Sequence, residues 1–286
     1  MRGRSTYDLP LLFCLAVIFI LLSGCVVTSL QPRPQIASGI ATNAQWQPKD
    51  FDTTTYRLRL YLPEQRQPRQ KITVYIEGDG LAWIDQATPS SDPTPRDPVA
   101  LRLATTQHAI AAAYIARPCQ YTLDTDAGRC HQAVWTNARY SEPVIAATSQ
   151  AIDHIKSLFQ AQEIVLVGYS GGGVVATLLA ARRPDISLLV TVAANLDTEF
   201  WTNHHGVSPL IGSLNPADFG RALKQQRQIH FVGSDDAIVP PSVVRSYALK
   251  IDKALLQNIK MVEDADHTCC WDELWPAIAR DIVPPG

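Results

Sequence analysis

The chain contains 286 residues, of which 46% are hydrophobic and 18% are charged, and its formal net charge at pH 7 is −2. This composition excludes an intrinsically disordered chain, which needs low hydrophobicity and high net charge. The 25 Lys and Arg residues do not outnumber the 27 Asp and Glu residues, so the basic excess that neutralises a nucleic-acid backbone is missing. We therefore expect one sizeable globular domain and no nucleic-acid partner.

The first residues have the pattern of a secretory signal. Arg2 and Arg4 precede an apolar run at residues 9–22. This run is shorter than the ~20 residues of a membrane-spanning helix but suits the apolar core of a signal peptide. It ends in Leu-Ser-Gly-Cys at residues 22–25, which resembles the lipobox of bacterial lipoproteins. An ordinary secretory cleavage site beside a chance cysteine is the alternative.

The lipobox resemblance implies that residues 1–24 are removed and that Cys25 carries lipid. Val26 is not the Asp that retains some lipoproteins at the inner membrane, so the resemblance favours an outer-membrane anchor facing the periplasm. Residues 25–50 are rich in Pro, Gln, Ser and Ala without apolar periodicity, which predicts a lipid-anchored tether. The folded domain is expected at residues 51–286.

Four cysteines remain when Cys25 and the cysteine of the predicted signal are set aside. An even number of cysteines in an oxidising periplasm suggests disulfides. They are Cys119, Cys130, Cys269 and Cys270. Pairing Cys119 with Cys130 is the simplest arrangement, but it leaves two adjacent cysteines, whose bridge would be strained. The pairing is open at this point. A metal site at His267, Cys269 and Cys270 lacks a second ligand cluster with zinc-like spacing, so we expect no metal and no cofactor.

Beyond residue 51, apolar runs alternate with helical patterns. The first strand pattern, at residues 56–62, alternates apolar and polar positions, and the later runs are mostly apolar, as in strands buried on both faces. The later strands are predicted at residues 72–76, 111–116, 164–167, 188–193, 229–232 and 259–262, and the helices at 98–110, 142–159, 172–183, 242–253 and 271–281. This alternation predicts an α/β fold, with a mostly parallel sheet of about 7–8 strands and helices on both faces.

One connection is unusually long. Residues 195–228 contain aromatic and apolar side chains, including Phe200, Trp201 and Leu210, without a clear strand. Long loops in small domains often act as lids or binding loops. We therefore expect a small lid insertion in this segment.

The strongest chemical signal follows the predicted strand at residues 164–167. Gly168-Tyr169-Ser170-Gly171-Gly172 has the pattern G-x-S-x-G and precedes a predicted helix. In a nucleophile elbow, a serine is held on a sharp strand-to-helix turn whose neighbouring residues must be small. A tightly packed glycine-rich turn, or a phosphate site at a helix N-terminus, is the alternative.

A serine nucleophile needs a histidine base and an acid that orients the base. Of the seven histidines, only His267 lies in a loop between the last predicted strand and the last predicted helix. The other six fall in predicted helices, in a strand, in the cysteine loop or in the possible lid. Because loops at the carboxyl ends of strands form the site in this fold class, His267 is the candidate base.

The candidate acid lies in residues 233–240, Gly-Ser-Asp-Asp-Ala-Ile-Val-Pro. This segment, together with the elbow, resembles the α/β-hydrolase superfamily, whose acid often occupies the fourth position of such a stretch. The resemblance covers nearly the whole predicted domain and points to Asp236, with Asp235 as its neighbour. Some members place the acid after the preceding strand, which here is Asp197. The chain order serine, acid, histidine is that of the superfamily.

Acyl transfer also needs two N–H donors for the tetrahedral oxyanion. Gly171, next to the serine, is the first candidate. The second belongs to the loop after residues 72–76, which reads Glu77-Gly78-Asp79-Gly80. Relatives often have His-Gly-x there, which implies the backbone of Asp79. Two carboxylates beside a developing anion are unfavourable, so Glu77 and Asp79 are expected to anchor the loop or meet a substrate cation. A polar turn without a donor role is the alternative.

Three tryptophans, Trp83, Trp201 and Trp271, lie near these segments and could line a pocket or pack in the core. Together the residues predict a serine hydrolase that cleaves a carboxylic ester, either a small molecule or a lipid, through an acyl-enzyme. A thioesterase or peptidase would use the same residues. A non-catalytic lipoprotein of the cell envelope is the alternative from another class.

Overall fold

The computed structural model describes residues 32–106, 111–126 and 128–282. The predicted signal peptide and the lipidation site at Cys25 therefore lie outside the described residues. Within these ranges the chain forms one eight-stranded sheet. The strands are β1 (Trp46–Asp52), β2 (Arg57–Pro63), β3 (Lys71–Ile76), β4 (Ala112–Ile115), β5 (Glu163–Tyr169), β6 (Ile186–Val192), β7 (Gln228–Gly233) and β8 (Ile259–Val262).

The strand order in the sheet is β1-β2-β4-β3-β5-β6-β7-β8. β2 is antiparallel to both β1 and β4, and every pairing from β4 onward is parallel. The carboxyl ends of the parallel strands therefore meet at one edge of the sheet, where α/β proteins place their ligand sites. The prediction of a mostly parallel sheet of about 7–8 strands is confirmed.

Helices cover both faces of this sheet. They are α1 (Arg33–Asn43), α2 (Val99–Thr106), α3 (Glu142–Phe159), α4 (Gly171–Ala180), α5 (Thr198–His205), α6 (Gly220–Leu223), α7 (Pro241–Ile251) and α8 (Trp271–Ile282). Along β5, Ile164 and Leu166 join one buried apolar cluster, whereas Val165 and Val167 join the other. Because successive side chains of a strand point to opposite faces, a strand covered on both sides is apolar throughout.

The start of the folded domain differs from the prediction. The segment expected to be a tether up to residue 50 contains α1 and most of β1, and the compact unit begins at Arg33. α1 buries only Ala37 and Ala41, and β1 is an edge strand whose side chains are mostly exposed. Pro48 is tolerated there because an edge strand can do without one backbone donor. Because neither α1 nor β1 buries a row of large apolar side chains, the sequence showed no apolar periodicity in this segment.

The predicted lid insertion at residues 195–228 contains α5, a 3₁₀ turn at Pro216–Asp218 and α6. Asp197 is the N-cap of α5, with its carboxylate accepting the Phe200 N–H. The capped helix places Trp201 next to residue 238, where the two residues join through a hydrogen bond. No helix in the described part of the chain is long and apolar enough to cross a membrane.

Candidate active site

Ser170 occupies the turn between β5 and α4. Its φ of 50° and ψ of −123° place a non-glycine residue at positive φ, a strained conformation that is found mainly at functional sites. Its N–H donates to the Val192 carbonyl on β6 at 2.9 Å. A Cβ at Gly172 would overlap the Ile76 carbonyl, and one at Gly168 would overlap the backbone of Gly172. The small residues thus allow the close approach that a nucleophile elbow requires.

His267 lies in the loop between β8 and α8, as predicted. Its Nε2 is 3.0 Å from Ser170 Oγ, within hydrogen-bond reach for a base that accepts the hydroxyl proton. The Tyr169 hydroxyl and the Trp271 indole both donate to the His267 carbonyl, at 2.9 and 3.2 Å. These contacts hold the backbone of the loop beside the elbow.

Asp236 completes the chain of hydrogen bonds. Its Oδ2 lies 2.9 Å from His267 Nδ1, and its Oδ1 accepts the N–H groups of Ile238 and Val239 at 2.9 and 2.7 Å. The carboxylate is fully buried. It therefore fixes the imidazole with the proton on Nδ1, which leaves Nε2 free to accept the proton of Ser170.

The two alternative acids lie elsewhere. Asp197 accepts from the Ser246 hydroxyl at 2.6 Å and pairs with Lys250 at 2.9 Å. Burial raises the pKa of Asp197, but these hydrogen bonds outweigh it and hold the pKa below its usual value. Asp235 is exposed, and its carboxylate accepts from Ser234. Of the three candidates, the structure brings Asp236 to His267.

The loop at residues 77–80, which is predicted to supply the second oxyanion donor, lies against Ser170. A Cβ added at Gly78 would be 3.3 Å from Ser170 Cβ, and one added at Gly171 would overlap the Asp79 carboxylate. The loop of Asp79 therefore packs directly against the turn that holds Ser170 and Gly171. A tetrahedral oxyanion requires two backbone donors, and the Gly171 and Asp79 N–H groups remain the candidates.

The Asp79 side chain is held by three partners that the sequence did not reveal. Its Oδ1 accepts from Arg117 at 3.0 Å, and its Oδ2 accepts from Arg139 at 2.8 Å and from the Tyr140 hydroxyl at 2.7 Å. Arg117 also donates to the Arg139 carbonyl. These contacts anchor the loop, which is one of the two roles expected for Asp79.

The two arginines of this cluster also compensate the negative charge of Asp79 at the predicted oxyanion site. Burial raises the pKa of Asp79, but the charges of Arg139 and Arg117 outweigh it, so the pKa lies below its usual value. Both arginines are almost completely buried, with side-chain exposures of 5% and 9%. Two cations share one carboxylate, so the cluster carries net positive charge beside the predicted oxyanion site.

Glu77, the other acidic residue of the loop, is buried, and no basic residue in the described part of the chain pairs with it. Its Oε1 accepts the Gly78 N–H at 2.9 Å, and its Oε2 accepts the Tyr114 hydroxyl at 3.0 Å. Burial raises the pKa of Glu77 to about 7, against the opposing effect of these hydrogen bonds. The carboxyl is therefore partly protonated near neutral pH, which weakens its repulsion of an oxyanion.

A cavity of about 520 Å³ opens onto Ser170 and His267. Trp83 and Trp201 line it, whereas Trp271 is fully buried against the loop of His267. Two of the three tryptophans proposed as pocket residues therefore face the cavity. The volume is within the range of small-molecule sites.

Both pairs of the four cysteines form disulfides. Cys119 is joined to Cys130 with a Cα–Cα distance of 5.7 Å, and Cys269 is joined to Cys270. The first pairing is the one the sequence made simplest. The second occupies both sulfurs that a metal site at His267 would have needed, and the described residues contain no cluster suited to a metal ion.

The comparisons with known proteins identify the fold. No protein-family profile matches the sequence, and a comparison with curated proteins gives no match. Solved structures do match. An esterase of Pyrococcus furiosus superposes with a TM-score of 0.58 at 13% identity, over 85% of this chain and 93% of its own. Est1E from Butyrivibrio proteoclasticus gives 0.53 at 15% identity, over 82% and 96%.

A Xanthomonas campestris protein, described as an α/β serine hydrolase without a lid, gives a TM-score of 0.51 at 13% identity, over 85% of this chain and 97% of its own. Structures at such low identity share the architecture of this chain rather than its sequence. The chain has the α/β-hydrolase fold. The residues that the elbow and its partner loops bring together lie at the carboxyl edge of the sheet, where this fold carries its active sites.

Proposed function

We propose that this protein is a serine hydrolase that cleaves a carboxylic ester through an acyl-enzyme. One observation carries the proposal: Ser170 Oγ, His267 and Asp236 form a continuous hydrogen-bonded chain with separations of 3.0 and 2.9 Å. This geometry supports nucleophilic catalysis because each member has the partner that its role requires. The esterase and the serine hydrolase among the structural neighbours agree with it.

In the proposed reaction, Ser170 Oγ attacks the carbonyl carbon and its proton moves to His267 Nε2. Asp236 stabilises the imidazolium, and the N–H groups of Gly171 and Asp79 bind the oxyanion. The intermediate then collapses, the bond to the alcohol oxygen breaks, and His267 returns the proton to the leaving alkoxide. A water attacks the acyl-enzyme through the same base, which releases the acid and restores the serine.

The same residues would serve a thioesterase or a peptidase, because all three reactions pass through an acyl-enzyme. We place the ester first because one of the structural neighbours compared above is named an esterase and another a serine hydrolase. An alkoxide is also a better leaving group than the amide anion of a peptide. A panel of acyl esters, thioesters and peptides assayed with the soluble domain ranks the three.

A fluorophosphonate probe tests the proposal against a non-catalytic lipoprotein on the same fold. We expect the compact unit that begins at Arg33 to be labelled at Ser170 and to hydrolyse short p-nitrophenyl esters. The Ser170→Ala variant should lose both properties. Ser157→Ala is the matched control, because Ser157 is exposed on α3 and should keep both. An unlabelled domain, or unchanged hydrolysis in Ser170→Ala, would falsify the proposal.

We also propose that the protein is attached to the outer membrane through lipid on Cys25 and faces the periplasm. The support is the lipobox-like sequence at residues 22–25 and the Val that follows it. Cys25→Ser should release the protein from the membrane fraction and remove incorporation of labelled fatty acid. Continued lipid labelling of the variant would contradict the anchor.

A further inference from the structure

A second chamber adjoins the cavity of Ser170 and His267. Its volume is about 580 Å³, and it shares four lining residues with the first cavity: Trp83, Arg139, Trp201 and Ile238. Neither Ser170 nor His267 lines it. The two spaces are therefore neighbours, bounded by the same four residues.

One wall of the chamber is fixed by α5. The Trp201 indole N–H donates to the Ile238 carbonyl at 2.6 Å, and His205 Nε2 contacts the same carbonyl at 2.9 Å. The two rings lie 5.1 Å apart. Because the helix and residue 238 are joined at two points, this wall is preformed rather than assembled by a ligand.

A second part of the wall is a short hairpin that carries Trp83. Trp83 forms an antiparallel bridge with Pro89, and the Ile84 N–H donates to the Thr88 carbonyl at 2.8 Å. The Asp85 carboxylate accepts the N–H groups of residues 87 and 88, both at 2.8 Å. The acidic group of this wall is thus engaged within its own turn.

The surface that lines the chamber is mostly apolar, and the arginine among its lining residues is already paired. Val207, Pro209 and Leu210 line it beside the two tryptophans. Arg139, the cationic residue among its lining residues, has its guanidinium bound to Asp79 and to the Thr136 carbonyl. A large uncharged group gains most from such a space, because it buries apolar surface without separating an ion pair.

We propose that this second chamber is the substrate subsite for a bulky, uncharged and largely apolar group on one side of the scissile ester. The inference rests on the proposed function and adds the substrate class: an ester with one large apolar substituent, rather than a short or charged one. A medium-length alkyl chain and an aromatic ring both have this chemistry.

Two series of esters test the subsite and distinguish an alkyl chain from an aromatic ring as its occupant. p-Nitrophenyl esters from acetate to octanoate, with benzoate, vary the acyl group, and acetates of alcohols from ethanol to octanol, with benzyl alcohol, vary the other side. We expect kcat/KM to rise roughly tenfold or more with size in one series. The aryl and alkyl members of that series then distinguish the ring from the chain.

Chamber-filling variants connect this preference to the chamber. Ser208 and Asn137 are exposed residues that line the second chamber but not the first. Ser208→Trp or Asn137→Trp should lower kcat/KM for the largest esters about tenfold more than for acetate, which would remove the size preference. The matched control is Ser157→Trp, because Ser157 lines neither cavity, and it should keep the preference.

The rate of Ser170 labelling by a small methyl fluorophosphonate is measured for every variant, so that a misfolded variant is recognised. Equal rates for small and large esters in both series overturn the subsite, and so does a size preference that survives both filling variants. If Ser170 is labelled in either case, the proposed function stands while the subsite fails. If the original protein is not labelled, both fail.

Discussion

The carboxylate of Asp79 lies against the α-carbon of Gly171, so closely that a methyl group at residue 171 would overlap Asp79 Oδ1. The two residues proposed to supply the oxyanion donors are thus in direct contact. The Asp79 carboxylate has little freedom to move, because Arg117, Arg139 and Tyr140 donate hydrogen bonds to its two oxygens. The position of one proposed donor is therefore coupled to the position of the other.

Gly171→Ala tests this coupling. We expect it to displace the loop of Asp79 and to lower kcat by about 10²–10³, the usual loss for one oxyanion donor, with about 1–3 kcal/mol lost in unfolding free energy through overpacking. Gly39→Ala is the control, because a Cβ at Gly39 meets nothing within 4 Å and should leave kcat unchanged. Normal turnover in Gly171→Ala would show that the loop has room to move.

Asp236→Asn and Asp197→Asn distinguish the orienting acid from a structural one. Loss of the Asp236 carboxylate should lower kcat by about 10⁴, since the imidazole then takes the wrong tautomer. Asp197→Asn should keep kcat near normal and lower the unfolding free energy by about 1–3 kcal/mol, because Lys250 and Ser246 lose a charged partner. Ester hydrolysis and urea unfolding measure both, and a reversed pattern would assign the acid to Asp197.

Asp79→Asn removes the carboxylate shared by Arg117 and Arg139. Two buried cations are then uncompensated, so we expect the unfolding free energy to fall by about 3–5 kcal/mol. Tyr140→Phe removes only one hydrogen bond to the same carboxylate and should cost about 1.5–3 kcal/mol. In urea unfolding, Asp79→Asn should therefore lose more unfolding free energy than Tyr140→Phe. Equal stability of Asp79→Asn and the original protein would refute a structural role for the cluster.

Glu77 gives stability a pH dependence. Because burial raises its pKa from 4.5 to about 7, the folded protein binds the proton more tightly than the unfolded chain, and the unfolding free energy should fall as pH rises from about 4.5 to about 7. Above that range this contribution is constant. The full effect is about 3 kcal/mol.

Glu77→Gln mimics the protonated carboxyl and should lack this slope. Urea unfolding at several pH values should show the variant gaining stability over the original protein between pH 4.5 and 7. Asp97, the nearby carboxylate that also raises the pKa of Glu77, is present in both proteins and cancels in the comparison. Parallel stability curves would show that Glu77 is not the titrating group.

Much of the fold follows from local pattern. The apolar runs at residues 164–167 and 229–232 lie within β5 and β7, because a strand buried on both faces has a recognisable sequence. The sequence misplaced the start of the domain because α1 buries only small alanines and β1 is an exposed edge strand. Such elements depend on their neighbours for stability, so their own residues carry little signal.

The sequence by itself determined the elbow at Ser170 and the loops that supply His267 and Asp236, since strand, turn and helix signals are local. Only the tertiary structure decided which acid meets His267 and what neutralises Asp79. The partners of Asp79 lie 38, 60 and 61 residues away along the chain. Contacts at such separations arise from the packing of the sheet and its loops, and leave no periodicity or motif in the sequence.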